Sequence, residues 1–168
     1  MKTLVYILAL AVLSAFGTAA SADDYTAGDL RIANPWAKAS LKGVPNSAAY
    51  LTITNTGATA DTLVAASTGV SNAVELHTMS MEDGVMRMRR LEGGVPLPAG
   101  ETVKLEPGGK HIMLIGLKDR LEDGETVSMT LTFENAGQLD VQASVQARQN
   151  TGGHDHGAMD GAGHEHGS

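Results

Sequence analysis

The sequence predicts an all-β domain, a sandwich of short strands with Greek-key connections, followed by a disordered carboxyl-terminal tail. Three observations carry that expectation. Between Leu30 and Arg148 the chain reads as short apolar segments, the clearest of which alternate with polar residues at a period of two. Turn-forming clusters recur between those segments, and no convincing amphipathic helix competes with them. After Asn150 the composition shifts to glycine, alanine, acids and histidine, with nothing to build a core.

Taken in order, the chain opens with Lys2 before the apolar run LVYILALAVLSAF and the small residues Ala20-Ser21-Ala22. That is the arrangement of a cleavable secretory signal, expected over residues 1–22, which implies export to the periplasm. The run is short for a bilayer span, so no stable membrane insertion is expected after cleavage. The folded domain is then expected over residues 23–149. Candidate strands are DLRIANPWAKA, AAYLTITNTG, DTLVAAS, AVELHTM, VMRMRR, ETVKLE and KHIMLIGL. Between them stand Asn55-Thr56-Gly57, Asp83-Gly84, Pro96 to Gly100, Pro107-Gly108-Gly109 and Asp123-Gly124, read as breakers. Two later strands alternate most cleanly. In TVSMTLTF, residues Val127, Met129, Leu131 and Phe133 are expected inward. In LDVQASVQAR the inward set is Leu139, Val141, Ala143, Val145 and Ala147.

Composition excludes several function classes. The formal net charge is −7, which argues against nucleic acid as a partner. None of the 168 residues is cysteine. The domain must therefore be held by its own core, and neither a thiol nucleophile nor a thiolate-ligated blue copper centre can form. No Ser-His-Asp or paired-carboxylate arrangement stands out, and the domain has too few histidines for a redox-cycling site, so no enzyme is expected.

What the chain does concentrate is sulfur and imidazole. Of seven methionines after the leader, five lie between Met79 and Met113, in ELHTMSMEDGVMRMRR and GGKHIMLIGLK. Met129 fits an ordinary core gap-filler, because it alternates with Val127 and Leu131. Met86 and Met88 fit it less well, since their same-face neighbours on a predicted strand are sulfur again. His111 and Met113 stand two apart on a predicted strand, so both leave one face, and His77 and Met79 repeat the spacing. A lone sheet histidine is more often structural than a ligand; two such pairs on either side of a Met-x-Met segment in sequence shift the odds. Thioether sulfur is a poor ligand for zinc, calcium or magnesium and a good one for Cu(I), which makes Cu(I) the expected cofactor.

The segments NPWAKAS, NSAAYLTITNTG, VELHTMSMEDGVMRMR, LPAGETVKLEPGGKHIMLIGLK and TLTF together resemble the PCuAC-type periplasmic copper chaperones, from about Gly28 to Arg148. That resemblance implies a cupredoxin-like sandwich and one Cu(I) bound through a motif written H(M)x10Mx21HxM. Carried over, the metal ligands are His77, Met88, His111 and Met113. Twenty-two residues separate Met88 from His111 here, one more than in the motif, which leaves Met86 as an alternative to Met88. Met79 is a spare or auxiliary thioether. The resemblance further implies delivery of copper to the copper-centre subunit of cytochrome c oxidase, beside a Sco-type thiol protein. The alternatives are a copper-sequestering resistance or buffering protein and, less favoured, a small copper redox enzyme. The tail, residues 150–168, carries His154, His156, Met159, His164 and His166 among carboxylates, a donor set suited to Cu(II).

Overall fold

A computed structural model describes residues 24–147. The expected leader and the tail, with His154, His156, Met159, His164 and His166, lie outside the described residues. The strands are β1 (Tyr25–Ala27), β2 (Leu30–Lys38), β3 (Asn46–Asn55), β4 (Asp61–Thr68), β5 (Ser71–Glu82), β6 (Val85–Arg90), β7 (Val95–Leu97), β8 (Thr102–Leu105), β9 (His111–Leu117), β10 (Thr126–Phe133) and β11 (Gly137–Gln146). They join in the order β6-β5-β9-β3-β2-β11-β10-β4-β7, with β1 on β2 and β8 on β3. The all-β, cupredoxin-like sandwich expected from the sequence is thus present.

Period-two alternation builds the core as predicted. Val127, Met129, Leu131 and Phe133 are buried on β10, and Val141, Ala143 and Val145 on β11. They pack with Ile32, Ile53, Leu63, Leu97, Ile112 and Leu114 in one cluster. Each large aliphatic side chain there contributes about 1.5–3 kcal/mol, so the fold needs no disulfide. Two inward assignments on β11 weaken toward its ends. Leu139 is only half-buried. Ala147 is exposed, because β11 ends at Gln146 and the Ala147 N–H turns to Asp123 Oδ1, 2.5 Å away.

Two strands escaped the sequence reading, the three-residue β1 and β7. The stretch from Pro96, expected as a breaker, starts inside β7: Val95 and Leu97 are buried around an exposed Pro96. Proline is tolerated because β7 is the last strand on its side of the sheet. Gly94, just before it, has φ +78°, and a Cβ there would collide with the Leu63 carbonyl oxygen. Nearby, the buried Asp61 pins the β10–β11 turn. Its Oδ1 accepts the Thr62 and Asn135 N–H groups at 2.7 and 2.9 Å, and its Oδ2 accepts that of Ala136 at 2.9 Å.

Two features fix the strands that carry histidine and methionine. β3 pairs with β9 through Asn46–Ala49 and with β8 through Leu51–Thr54, so β9 is held between β3 and β5. β5 and β6 meet at a two-residue turn, Asp83-Gly84, with φ of 51° and 78°. Two consecutive left-handed residues make the tight hairpin turn that sets register without slack.

Candidate metal centre

Residues directly opposite one another on neighbouring strands share a face of the sheet. His77 of β5 lies opposite His111 of β9 and opposite Arg90 of β6. The histidine rung continues across the sheet into aromatic rings. The His77 and His111 centroids are 5.8 Å apart, those of His111 and Tyr50 6.4 Å, and those of Tyr50 and Trp36 4.4 Å. One pleat to one side of this rung, Met113 faces Glu75. One pleat to the other side, Met79 faces Met88, and beyond that Met81 faces Met86. Two imidazoles therefore stand between a thioether on one flank and a thioether pair on the other, each step being roughly 6.5–7 Å along a strand.

Met79, Met88, His111 and Met113 line a single open cavity of about 500 Å³, with Tyr50, Ala48, Arg120 and Ala147 also on its wall. His77 is not on that wall, and neither is Met86, the alternative to Met88. Met86 sits one pleat further out, opposite Met81. The spatial order differs from the sequence order: the Met-x-Met strand β6 is the outer strand, beside β5 and not between the two His-x-Met pairs. Nor does β6 have one sheltered face. All six of its residues are exposed, Met86 at 45% and Met88 at 47%.

Of the two histidines, His111 is buried and His77 half-buried. His111 is 3% exposed. Its Nδ1 lies 3.1 Å from the Gly109 carbonyl oxygen, which only an N–H can donate to, so Nε2 keeps its lone pair. The same oxygen accepts the Met79 N–H at 3.1 Å, tying the β8–β9 turn to β5. His77 is arranged in the opposite tautomer. Its Nε2 lies 2.8 Å from Glu75 Oε2, and its Nδ1 is buried with no hydrogen-bond partner. A buried, unpartnered ring nitrogen is costly unless it has a ligand. Glu75 is itself held by Arg90, whose Nη1 donates to Oε1 at 3.1 Å. The hydrogen bond from His77 keeps the Glu75 carboxyl below its ordinary pKa; desolvation opposes this, and the Arg90 charge adds to it. Tyr50 is shifted upward by burial and stays a neutral phenol beside the rings.

Chemically this donor set suits a soft monovalent cation. Each ring presents one unprotonated nitrogen, the other being pinned to an oxygen as second-sphere partners usually pin metal-binding histidines. The flanking donors are neutral sulfur. Among the described residues no group of three or more His, Cys, Asp or Glu is placed to hold a harder ion. Sequence reasoning missed Glu75, although the Glu-x-His spacing, which puts both side chains on one face, was the available signal.

The family described as "Putative lipoprotein LpqE-like" matches residues 30–145. "Putative lipoprotein Lxx21020" of Leifsonia xyli subsp. xyli is 34% identical over 120 residues, covering 71% of each chain. Among solved structures, the copper-bound PCuAC domain from PmoF2 is similar with a TM-score of 0.65 and 27% identity, over 75% of this chain and 99% of that domain. The solution structure of CuI-DR1885 from Deinococcus radiodurans matches with a TM-score of 0.58 and 31% identity, over 76% and 83% of the two chains. With that family matched over residues 30–145 and its fold shared with solved PCuAC domains, this chain belongs to the LpqE-like family and carries a PCuAC-type copper-domain fold.

Proposed function

We propose that the protein is an extracytoplasmic, non-catalytic carrier of Cu(I), held by His77, Met88, His111 and Met113 with Met79 as a reserve thioether. The observation that carries this reading is the pair of complementary histidine tautomers. One nitrogen of each ring is fixed by an oxygen, the other is left for a metal, and sulfur stands on both flanks. When bound, the ion supplies no reaction; the chain's residues supply a neutral donor set that favours the cuprous state.

Copper-bound forms of PmoF2 and DR1885 domains support holding and carrying as the first function. Neither is described as an oxidase component, so buffering of copper outside the cytoplasm has the better support. Delivery to the copper centre of cytochrome c oxidase, with or without a Sco-type thiol protein, is the second step of the proposal. It rests on the sequence resemblance. The lipoprotein descriptions of the relatives support a location beyond the cytoplasm, but none of these 168 residues offers a thiol for a lipid thioether. The histidines and carboxylates of residues 150–168 would add Cu(II) capacity.

The test is a pair of competition titrations, Cu(I) and Cu(II), on the mature protein, on a truncation after Asn150, and on a Met88→Leu/His111→Ala/Met113→Leu variant. The truncation is expected to lose Cu(II) capacity alone and the triple variant Cu(I) alone. X-ray absorption at one equivalent of Cu(I) should show both sulfur and nitrogen scatterers; a spectrum without Cu–S scattering overturns the assignment.

A further inference from the structure

The methionine ladder does not stop at the cavity. Beyond Met79 and Met88, Met81 and Met86 face each other on the same side of the β5–β6 hairpin. The turn chemistry sets their separation. A two-residue turn makes Glu82 and Val85 the hydrogen-bonded closing pair, and alternation then makes Met81–Met86 and Met79–Met88 non-hydrogen-bonded pairs. Such pairs bring their Cα atoms to about 4.5 Å and their side chains closer than any other cross-strand position.

Packing does not account for the outer pair. Met81 is 63% exposed and Met86 45%, and both are among the few large apolar side chains left open to solvent. The other face of the hairpin is polar and satisfied within itself: Arg87 and Arg89 pair with Glu82, and Ser80 donates to the same carboxylate. One face thus carries the ion pairs, with Val85 at the turn, and on the other the two rungs beyond His77–Arg90 hold sulfur alone. Two flexible thioethers at that spacing match the low coordination number a cuprous ion accepts.

We propose that Met81 and Met86 form an outer, sulfur-only Cu(I) site through which the ion reaches the inner centre. At the outer pair the ion has two weak neutral donors. One pleat inward, Met79 and Met88 offer the same chemistry, and His77, His111 and Met113 add stronger nitrogen donors and a further sulfur. Each inward step forms one Cu–S or Cu–N bond as one outer Cu–S bond breaks. The charge on the ion stays at +1, thioether and imidazole remain neutral, and neither a proton nor an electron is exchanged. The gradient of donor strength gives the transfer its direction. The loading role rests on the Cu(I) reading of the inner centre; the existence of the outer site does not.

The test uses the mature protein labelled at its methionine ε-methyl groups, titrated anaerobically with Cu(I) supplied as its bicinchoninate complex. The Met88 and Met113 methyl signals should shift up to the first equivalent, and those of Met81 and Met86 beyond it. Met81→Leu/Met86→Leu keeps size and apolarity on an exposed face, so folding is retained. It should lose the second response and slow loading of the inner centre several-fold, with unchanged occupancy at equilibrium. Met81 and Met86 signals that stay still at two equivalents, or a double variant that loads at the parent rate, overturn the proposal. Met88→Leu/Met113→Leu separates the two sites: an outer response that persists there supports the outer site even where the inner reading fails.

Discussion

Replacing Glu75 with leucine removes the group that sets the orientation and tautomer of His77 without touching any proposed donor. In the native chain the 2.8 Å contact to Glu75 Oε2 selects one ring orientation and leaves Nδ1 as the free nitrogen. A released imidazole has about six combinations of its two side-chain torsions. It also has two neutral tautomers, roughly another factor of two. Their product predicts that Cu(I) binds about tenfold more weakly, the lower end of the 10- to 100-fold range for outer partners of metal ligands. Arg90 moves the expectation upward, because its guanidinium lies opposite His77 and is left with only Glu92, 3.6 Å away, to offset its charge. The assay is anaerobic competition against bicinchoninate at fixed pH. Glu75→Gln keeps an oxygen that accepts the His77 Nε2–H and should recover most of the affinity, which a loss of general stability would not do. A leucine variant within twofold of the parent, or a glutamine variant as weak as leucine, refutes the positioning argument.

Three further outcomes are expected from other parts of the molecule. Met88→Leu should weaken Cu(I) binding by at least about tenfold, or 1.4 kcal/mol, while Met86→Leu leaves the inner affinity unchanged; equal losses in the same competition assay would contradict the register of β5 and β6. For Asp61, burial raises the carboxyl pKa, but the N–H groups of Asn135, Thr62 and Ala136 outweigh it and hold the net value below the ordinary one. Its contribution to stability is therefore present above about pH 4 and lost as pH falls through the lowered folded value. Denaturant titrations across that range should show Asp61→Ala costing about 2–3 kcal/mol at neutral pH and flattening the acid limb. Gly94→Ala should cost at least about 1–2 kcal/mol from its left-handed φ alone, read as a lowered melting temperature with copper affinity retained, since β7 and β6 are opposite ends of the strand order.

Most of the fold was legible because nine strands are long enough for polarity to alternate or for breakers to bound them. β1 and β7, at three residues each, fall below that limit. Pro96 misled because a proline excludes a central strand and not an edge one. Spacing and softness singled out the candidate donors, and the family resemblance chose Met88 among them, yet their arrangement was not legible. Periodicity shows that His77 and Met79 share a face, but not that His77 stands opposite His111, nor that Met113 and Met88 flank the pair from opposite sides. Those facts are long-range register, fixed by the Asp83-Gly84 turn and by β9 lying between β3 and β5. Nor does spacing show that burial is uneven across the candidate donors: His111 is buried, His77, Met79 and Met113 are half-buried, and Met88 is open to solvent.

That asymmetry divides the donors by how readily they can let go. His111 and Met113 lie on a strand bonded along both edges, so the ladder on either side must break before they shift. Met88 lies on a strand bonded on one edge only, ending in a tight turn and exposed along its length. With Cu(I) held as proposed, a competing ligand would need only to substitute for that peripheral sulfur to gain a first hold on the ion, while the imidazoles would keep it from escaping into water. On that proposal, the protein would surrender its ion to a competing ligand and not to simple dilution.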